Sequence, residues 1–119
     1  MSAGRELIPL ATGRMSEILG DVDLESPVYP FDFSDYYRAE MGEPLFKRFL
    51  SFRRLQKPEI LTQLKRKTAA CERMHRGPDG GRLVNLDTGY WSDAKLVMAS
   101  TKNYSHRICI GRRTFAEIT

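Results

Sequence analysis

The stretch NLDTGYWSDAKLVMASTKNYSHR, residues 85–107, is rich in side chains that form tight turns or take part in chemistry. The pair Thr88-Gly89 predicts a turn, because a threonine hydroxyl can bond nearby backbone and glycine adopts conformations closed to other residues. Ser92 and Asp93 predict the cap of a helix, AKLVMAST, since short polar side chains satisfy the free N–H groups of a first helical turn. Asn103 is expected to end that helix. The stretch therefore predicts a strand–helix–strand connection first, and a ligand site as its second role.

The segments on either side of this connection predict strands. Before it, RLVNLD (82–87) predicts one strand. After it, YSHRICIG and TFAEIT predict a hairpin that turns at Gly111-Arg112-Arg113. Because side chains alternate along a strand, Ile108 and Ile110 are expected to share the buried face.

A long helix precedes these strands. Pro58 and Glu59 predict its start, because proline suits the first helical position and a carboxylate favours the positive end of the helix dipole. The GPDGG run (77–81) ends it. A buried stripe is expected at helical spacing, formed by Ile60, Leu61, Leu64, Thr68, Cys71 and Met74.

The first half of the chain predicts two further helices and two extended segments. Residues 3–19 carry apolar side chains near helical spacing and predict an amphipathic helix. Residues 22–33 predict an extended segment, because its two prolines disfavour helix. The run DYYRAEM (35–41) predicts a short helix, capped by a serine and closed by a glycine. PLFKRFLSFRRL (44–55) alternates imperfectly and predicts a strand, with a helical turn as the alternative.

These elements follow one another in the order helix, strand, helix, strand, helix, strand, helix, strand, strand. Such an order is typical of an α+β fold, in which we expect a mostly antiparallel sheet of about five strands with helices packed on one face. A chain of 119 residues fits one domain, so residues 1–119 are expected to form a single α+β domain.

The composition argues against several classes of protein. No early basic segment leads into an apolar run, so no signal peptide is expected, and no uncharged apolar run approaches the roughly 20 residues that cross a bilayer. Cys71 and Cys109 form no C-x-x-C pair, which favours reduced thiols in a cytoplasmic protein. With only His75 and His106 besides, the side chains predict neither a metal site nor a cofactor.

Charge is distributed unevenly along the chain. Residues 1–45 hold three basic and nine acidic side chains, whereas residues 46–82 hold eleven basic and three acidic ones. An exposed basic segment at 47–76 would attract phosphates or nucleic acid, with neighbouring phenylalanines stacking on bases. The alternative is that the acidic and basic parts pack side by side and neutralise each other.

A resemblance to a known family rests on five segments: PFDFSDYYRAEMG (30–42), LSFRRL (50–55), VNLDTGY (84–90), AKLVMASTKNYSHRI (94–108) and FAEIT (115–119). Over roughly residues 17–119 the chain resembles domain-of-unknown-function family 4416, which consists of uncharacterised, mostly bacterial proteins. The resemblance implies a strand before the first helix and a further segment after the last strand in other members, so this chain resembles a member shortened at both ends. Some members are labelled GTP-binding, but the resemblance implies no established reaction.

Two motifs bear on the GTP-binding label. The chain contains no P-loop pattern G-x-x-x-x-G-K-[ST], whose backbone would wrap a phosphate. The ASTKN run (99–103) is similar to the guanine-binding [NT]-K-x-D motif, but Tyr104 stands two places after Lys102, where that motif has an acid. A GTPase mechanism is therefore not expected, and nucleotide binding stays open.

Six side chains form the predicted ligand site: Asn85, Asp87, Tyr90, Lys102, His106 and Arg107. Lysine and arginine suit phosphate, arginine through two parallel hydrogen bonds, and histidine exchanges protons near neutrality. Strand alternation places His106 on the buried face with the isoleucines and Arg107 on the opposite face. The alternative interpretations are that Asp87 only closes a turn and that His106 is a core residue.

Three functions follow as hypotheses. The first is a binding domain for a small anionic ligand, phosphate-bearing or a nucleotide, at these six side chains. The second is a nucleic-acid-binding domain that uses segment 47–76. The third is an acid–base enzyme with His106 and Asp87 as catalytic residues. We take the first as the main hypothesis.

Overall fold

The structure, a computed structural model, describes residues 1–119. The chain contains three α-helices: α1 (Leu7–Leu19), α2 (Arg38–Met41) and α3 (Leu61–Met74), the last preceded by a 3₁₀ turn at Pro58–Ile60. It contains eight strands: β1 (Val22–Glu25), β2 (Tyr29–Pro30), β3 (Phe46–Lys47), β4 (Leu50–Phe52), β5 (Gly89–Trp91), β6 (Leu96–Ser100), β7 (Ile108–Gly111) and β8 (Thr114–Ile118). All paired strands are antiparallel, which confirms the α+β class. The strand count differs from the prediction, because the strands form three small sheets and not one sheet of about five.

The chain divides into two compact units, each built from two separate stretches. The first unit comprises residues 1–55 and 70–86, and the second comprises residues 56–69 and 87–119. Helix α3 contributes its first half to the second unit and its end to the first. Each unit therefore depends on residues that are distant from one another in the sequence.

The first unit packs helix α1 against the end of α3 and strand β4. Its buried core consists of Met15, Cys71, Val84 and Leu86. Burial in this core raises the pKa of the Cys71 thiol, so the thiol stays protonated near neutrality. Both cysteines are free, Cys71 buried and Cys109 exposed.

The first residues of the chain pair on two sides in the first unit. Ser2 is fully buried and forms antiparallel bridges to both Phe46 and Val84. The Ser2 N–H donates to the Phe46 carbonyl at 2.8 Å, and the Ala3 N–H donates to the Leu83 carbonyl at 2.8 Å. This extended pairing explains why helix α1 begins at Leu7 and not at residue 3 as predicted.

The second unit is a four-stranded sheet in the order β5-β6-β8-β7, with the first half of α3 packed on one face. Leu61 of the helix packs against Val97 and Ala99 of β6. Gly111, at the end of β7, lies so close to the helix that a Cβ there would stand 2.7 Å from Thr62 Cγ2.

The predicted helix at AKLVMAST is wrong, because this segment contains strand β6. Ser92 and Lys95 close a tight turn between β5 and β6, with the Ser92 N–H donating to the Lys95 carbonyl at 2.9 Å. Val97 and Ala99 are buried while their neighbours are partly exposed, which is the two-residue period of a strand. The short polar residues thus form a hairpin turn, and pairing with β5 and β8 outweighs the helical preference of the sequence.

Two further predictions about strands need correction. Segment 82–87 forms no strand and contributes only single bridges at Arg82 and Val84. The hairpin of β7 and β8 is confirmed, but Ile108 and Ile110 are not buried, since 73% and 41% of their surface is exposed. Strand β7 lies at the edge of the sheet, where the alternation of side chains does not guarantee a buried face.

The long helix is confirmed from Pro58, with most of its predicted stripe in place. Leu61, Leu64, Thr68 and Cys71 are buried. Met74 is an exception, being 71% exposed at the last residue of α3. The proline and the acid at the start of this helix are local signals, and they predicted its beginning correctly.

Candidate functional site

Asn85, predicted as a ligand residue, is a buried structural residue of the first unit. Its Oδ1 accepts a hydrogen bond from Arg82 Nη1 at 2.7 Å. Its backbone N–H donates to the Met1 carbonyl at 2.7 Å, and its own carbonyl accepts from the Met1 amino group at 2.8 Å. With 5% of its surface exposed, Asn85 holds the first residues of the chain in place.

Arg82 forms the centre of a polar network in the first unit that sequence reasoning missed. Its guanidinium makes two parallel bonds to the Glu40 carboxylate, from Nε at 2.7 Å and from Nη2 at 3.0 Å. Nη1 bonds the buried Glu72 carboxylate at 2.9 Å. The hydrogen bond to Glu40, with a further contribution from the charge of Glu72, raises the pKa of Arg82 although burial opposes this. One arginine therefore pairs with two carboxylates at once.

Asp87 and Tyr90 belong to the second unit. Asp87 is exposed, while the neighbouring Thr88 is buried and its carbonyl accepts from the Ala99 N–H at 2.9 Å. Tyr90 packs beside the Leu61 core and pairs with Val97, which pairs in turn with Ile118. Because cross-strand partners share a face, Tyr90, Val97 and Ile118 lie on the same face of the sheet. Side chains alternate along a strand, so Glu117, which precedes Ile118, lies on the opposite face.

That preceding residue, Glu117, brings two of the predicted site residues together. Glu117 Oε2 lies 2.6 Å from His106 Nε2 and accepts a hydrogen bond from Arg107 Nε at 2.8 Å. The prediction that His106 and Arg107 point to opposite faces is therefore wrong. Residues 105–106 form a turn that the Arg107 N–H closes on the Tyr104 carbonyl at 3.1 Å, so strand alternation begins only at Ile108.

The predicted buried position of His106 is also wrong. Its side chain is 54% exposed, and its ring makes an edge-to-face contact with Tyr104 at a centroid distance of 5.3 Å. Arg107 Nη1 donates to the Lys102 carbonyl at 2.9 Å, which ties the loop together. We name this group, formed by Lys102, Tyr104, His106, Arg107 and Glu117, the His106 cluster.

The electrostatics of the His106 cluster centre on Glu117. The hydrogen bond from Arg107 holds the pKa of Glu117 below its usual value, with a smaller contribution from His106. The carboxylate is therefore charged at neutral pH and orients both partners. Glu117 was missed by sequence reasoning, and the available signal was a single acid between the apolar residues Ala116 and Ile118 of strand β8.

The basic segment 47–76 is not uniformly available for binding. Arg48 pairs with Glu25 at 3.2 Å, and Lys65 is buried. The segment is also divided between the two units. Elsewhere, no three His, Cys, Asp or Glu side chains come together in a way that could hold a metal ion. None of the helices is long and apolar enough to span a membrane.

A comparison with models of protein families gives a match over residues 1–119 to the family described as domain of unknown function DUF4416. The chain belongs to the DUF4416 family. This confirms the resemblance carried by the five sequence segments. Neither a search of curated proteins nor a search of solved structures found a match. Membership in the DUF4416 family assigns no activity to the chain.

Proposed function

We propose that this DUF4416 chain binds a small anionic ligand, phosphate-bearing or a nucleotide, at the His106 cluster. The observation that carries the proposal is the shared carboxylate of Glu117, which lies 2.6 Å from His106 Nε2 and 2.8 Å from Arg107 Nε. Two side chains suited to phosphate are thereby held side by side on one exposed loop.

Arg107 is positioned in advance for such a ligand. Nε and Nη1 are engaged by Glu117 and by the Lys102 carbonyl, which leaves Nη2 to donate to a phosphate oxygen. A guanidinium that is already held in place loses little conformational freedom on binding. Glu117 therefore acts as a positioning residue and does not need to contact the ligand.

The charge of the cluster favours an anion. The cluster holds two basic side chains, Lys102 and Arg107, and one acidic side chain, Glu117, so its formal charge is positive. The ring of Tyr104, 66% exposed, offers an apolar surface for a base or sugar beside a phosphate. The proposed site thus keeps Lys102, His106 and Arg107 from the predicted six. It omits Asn85, which serves the first unit, Tyr90, which lies on the other sheet face, and the exposed Asp87, whose carboxylate would repel an anion.

Thermal melting of the whole chain with inorganic phosphate, a phosphosugar and GTP tests this proposal. A ligand at 100 times its dissociation constant stabilises the folded state by about 2.7 kcal/mol, which is readily visible as a shift in Tm. Lys102→Ala and Arg107→Lys are expected to reduce the shift strongly. Lys95→Ala, which removes another exposed lysine of the second unit, is the matched control and should keep it. Equal shifts in Lys102→Ala and Lys95→Ala, or no shift with any anion, would contradict the proposal.

A second candidate function is acid–base catalysis by His106. The 2.6 Å contact with Glu117 favours it, because a carboxylate partner fixes the tautomer and orientation of an imidazole and leaves its other nitrogen free. Glu117 would then take the role that sequence analysis gave to Asp87. A pH-dependent turnover that is lost in His106→Gln would support this candidate. A turnover that is the same in His106→Gln and in the unaltered chain would exclude His106 as the catalytic residue.

A further inference from the structure

An aromatic groove lies on the first unit, whereas the residues of the His106 cluster belong to the second unit. It has a volume of about 230 Å³ and is lined by Tyr29, Pro30, Phe31, Phe33, Lys47 and Phe49. Strands β2 and β3 hold its walls, since Tyr29 pairs with Lys47, and the Phe31 N–H donates to the Leu45 carbonyl at 2.8 Å. The groove is therefore formed by backbone pairing before any ligand arrives.

The rings of the aromatic groove are open to water. Phe33 is 86% exposed, Phe49 is 59% exposed and Tyr29 is 46% exposed. Phe31 makes edge-to-face contacts with Phe33 at 5.9 Å and with Tyr37 at 6.1 Å between ring centroids. Such contacts fix the rings relative to one another. Exposed rings that contact one another in this way are typical of interaction surfaces.

Lys47 supplies the one positive charge inside this groove. Its Nζ lies 5.0 Å from the centre of the Phe49 ring and 5.6 Å from that of Phe31, within the range of a cation–π interaction. The neighbouring Arg48 pairs with Glu25, but no carboxylate pairs with Lys47. Its charge is thus held at the rings and is available to an anion.

We propose that the aromatic groove binds unpaired bases of a single-stranded nucleic acid, with Lys47 contacting a backbone phosphate. Exposed rings stack on bases of any sequence, and a nearby cation follows the phosphate backbone. The bases of a duplex are already stacked on one another, so their faces are not available to stack on the aromatic side chains. The inference involves the first unit and stands independently of the anion site in the second.

The size and charge of the groove favour this ligand over others. A pocket that encloses a whole small molecule has a volume of about 300–1,000 Å³, so 230 Å³ suits flat rings that enter from a longer chain. A proline-rich peptide would also use aromatic walls, but it would leave the charge of Lys47 without a partner. A single-stranded nucleic acid offers bases that stack on the aromatic rings and phosphates that pair with Lys47.

Fluorescence anisotropy of labelled oligonucleotides about 10 nucleotides long tests the inference on the whole chain. Oligouridine represents single-stranded RNA and oligothymidine represents single-stranded DNA. A duplex of equal length is the comparison. Binding of either single strand, weaker for the duplex, is the expected result. No binding of either strand, or equal binding of the duplex, would overturn the inference.

Substitutions then assign the binding to the groove. Phe33→Leu and Phe49→Leu remove a ring and are expected to weaken binding by roughly 5- to 150-fold, the range measured for loss of one stacked base. Trp91→Leu is the matched control, because Trp91 is also 86% exposed but lies in the second unit. Lys47→Met is expected to reduce the slope of the logarithm of the binding constant against the logarithm of the salt concentration by about 1, because one phosphate contact is lost.

Three results would count against the groove. Equal affinities of Phe33→Leu, Trp91→Leu and the unaltered chain would show that stacking there is irrelevant. A salt dependence unchanged in Lys47→Met would remove the phosphate contact. Displacement of the oligonucleotide by a proline-rich peptide that binds more tightly would assign the groove to a peptide.

Discussion

Glu117 shows how one carboxylate can organise a loop that has no regular structure. His106 and Arg107 approach it from a turn, and Arg107 bonds back to Lys102. The acid is 23% exposed, so its bonds are partly screened by water. Its charge state decides whether the His106 cluster keeps its geometry.

A pH dependence follows from the lowered pKa of Glu117. Because the folded state favours the charged carboxylate, this contribution to stability is present above the usual pKa of 4.5 and is lost as the pH falls through the lowered value. Glu117→Gln should cost about 1 kcal/mol near neutral pH and less in acid. Urea unfolding of both proteins over a pH series measures the difference. A difference that stays constant into acid would show that the charge of Glu117 does not matter.

Arg82 is expected to matter far more for stability than an exposed arginine. Arg82→Ala leaves the buried Glu72 carboxylate without its cation, and we expect a loss of about 2–4 kcal/mol, somewhat below that of a fully buried pair. The control is Arg38→Ala, whose exposed pairs with Asp35 and Glu43 should contribute at most about 1 kcal/mol. Urea unfolding at neutral pH gives both values, and similar losses would contradict the network as a source of stability.

At the scale of single residues, the sequence predicted which side chains could bind an anion better than it predicted their hydrogen-bond partners. The residues His106 and Arg107 were recognised by type, but their common partner Glu117 lies on a different strand, so no local pattern joins them. Asn85 was also placed in the ligand site because of its residue type. In the structure it bonds Arg82 and Met1 instead. Hydrogen-bond partners at large sequence separation are set by the fold.

Among the elements, the contact between helix α3 and strand β7 can be tested at Gly111. An alanine there would place its Cβ 2.7 Å from Thr62 Cγ2, and threonine is short and stiff. Gly111→Ala should therefore destabilise the chain by about 1–3 kcal/mol. In a Thr62→Ala background the same change should cost much less, because the methyl group is gone. A thermal melt of the four proteins measures this coupling, and additive losses would argue against the close approach.

Elements with strong local signals were predicted well, and elements defined by partners were not. The proline and acid at Pro58–Glu59 marked a helix start, and the glycine-containing turn marked the hairpin of β7 and β8. Strand β6 was predicted as a helix, because Ser92 and Asp93 suit a cap and a hairpin turn equally well. Only pairing with β5 and β8 decides between the two.

For the molecule as a whole, the interrupted units predict how fragments behave. Fragment 1–55 lacks the core partners of Met15, namely Cys71, Val84 and Leu86. Fragment 87–119 lacks Leu61, which packs on Val97 and Ala99. We expect neither fragment to unfold cooperatively alone, whereas residues 1–119 should. Circular dichroism during heating checks this, and a cooperative transition in fragment 87–119 would contradict the assignment of α3 to its core.

The two-sided pairing of the first residues has a consequence for biosynthesis. The bond from the Met1 amino group to the Asn85 carbonyl spans 84 positions of the chain. At about 5–20 residues per second, a ribosome needs roughly 4–17 seconds to make that stretch. During this time Ser2, which ends up fully buried, has no Val84 to pair with. Ser2 and its neighbours therefore cannot reach all their native partners until the stretch up to Val84 has been made.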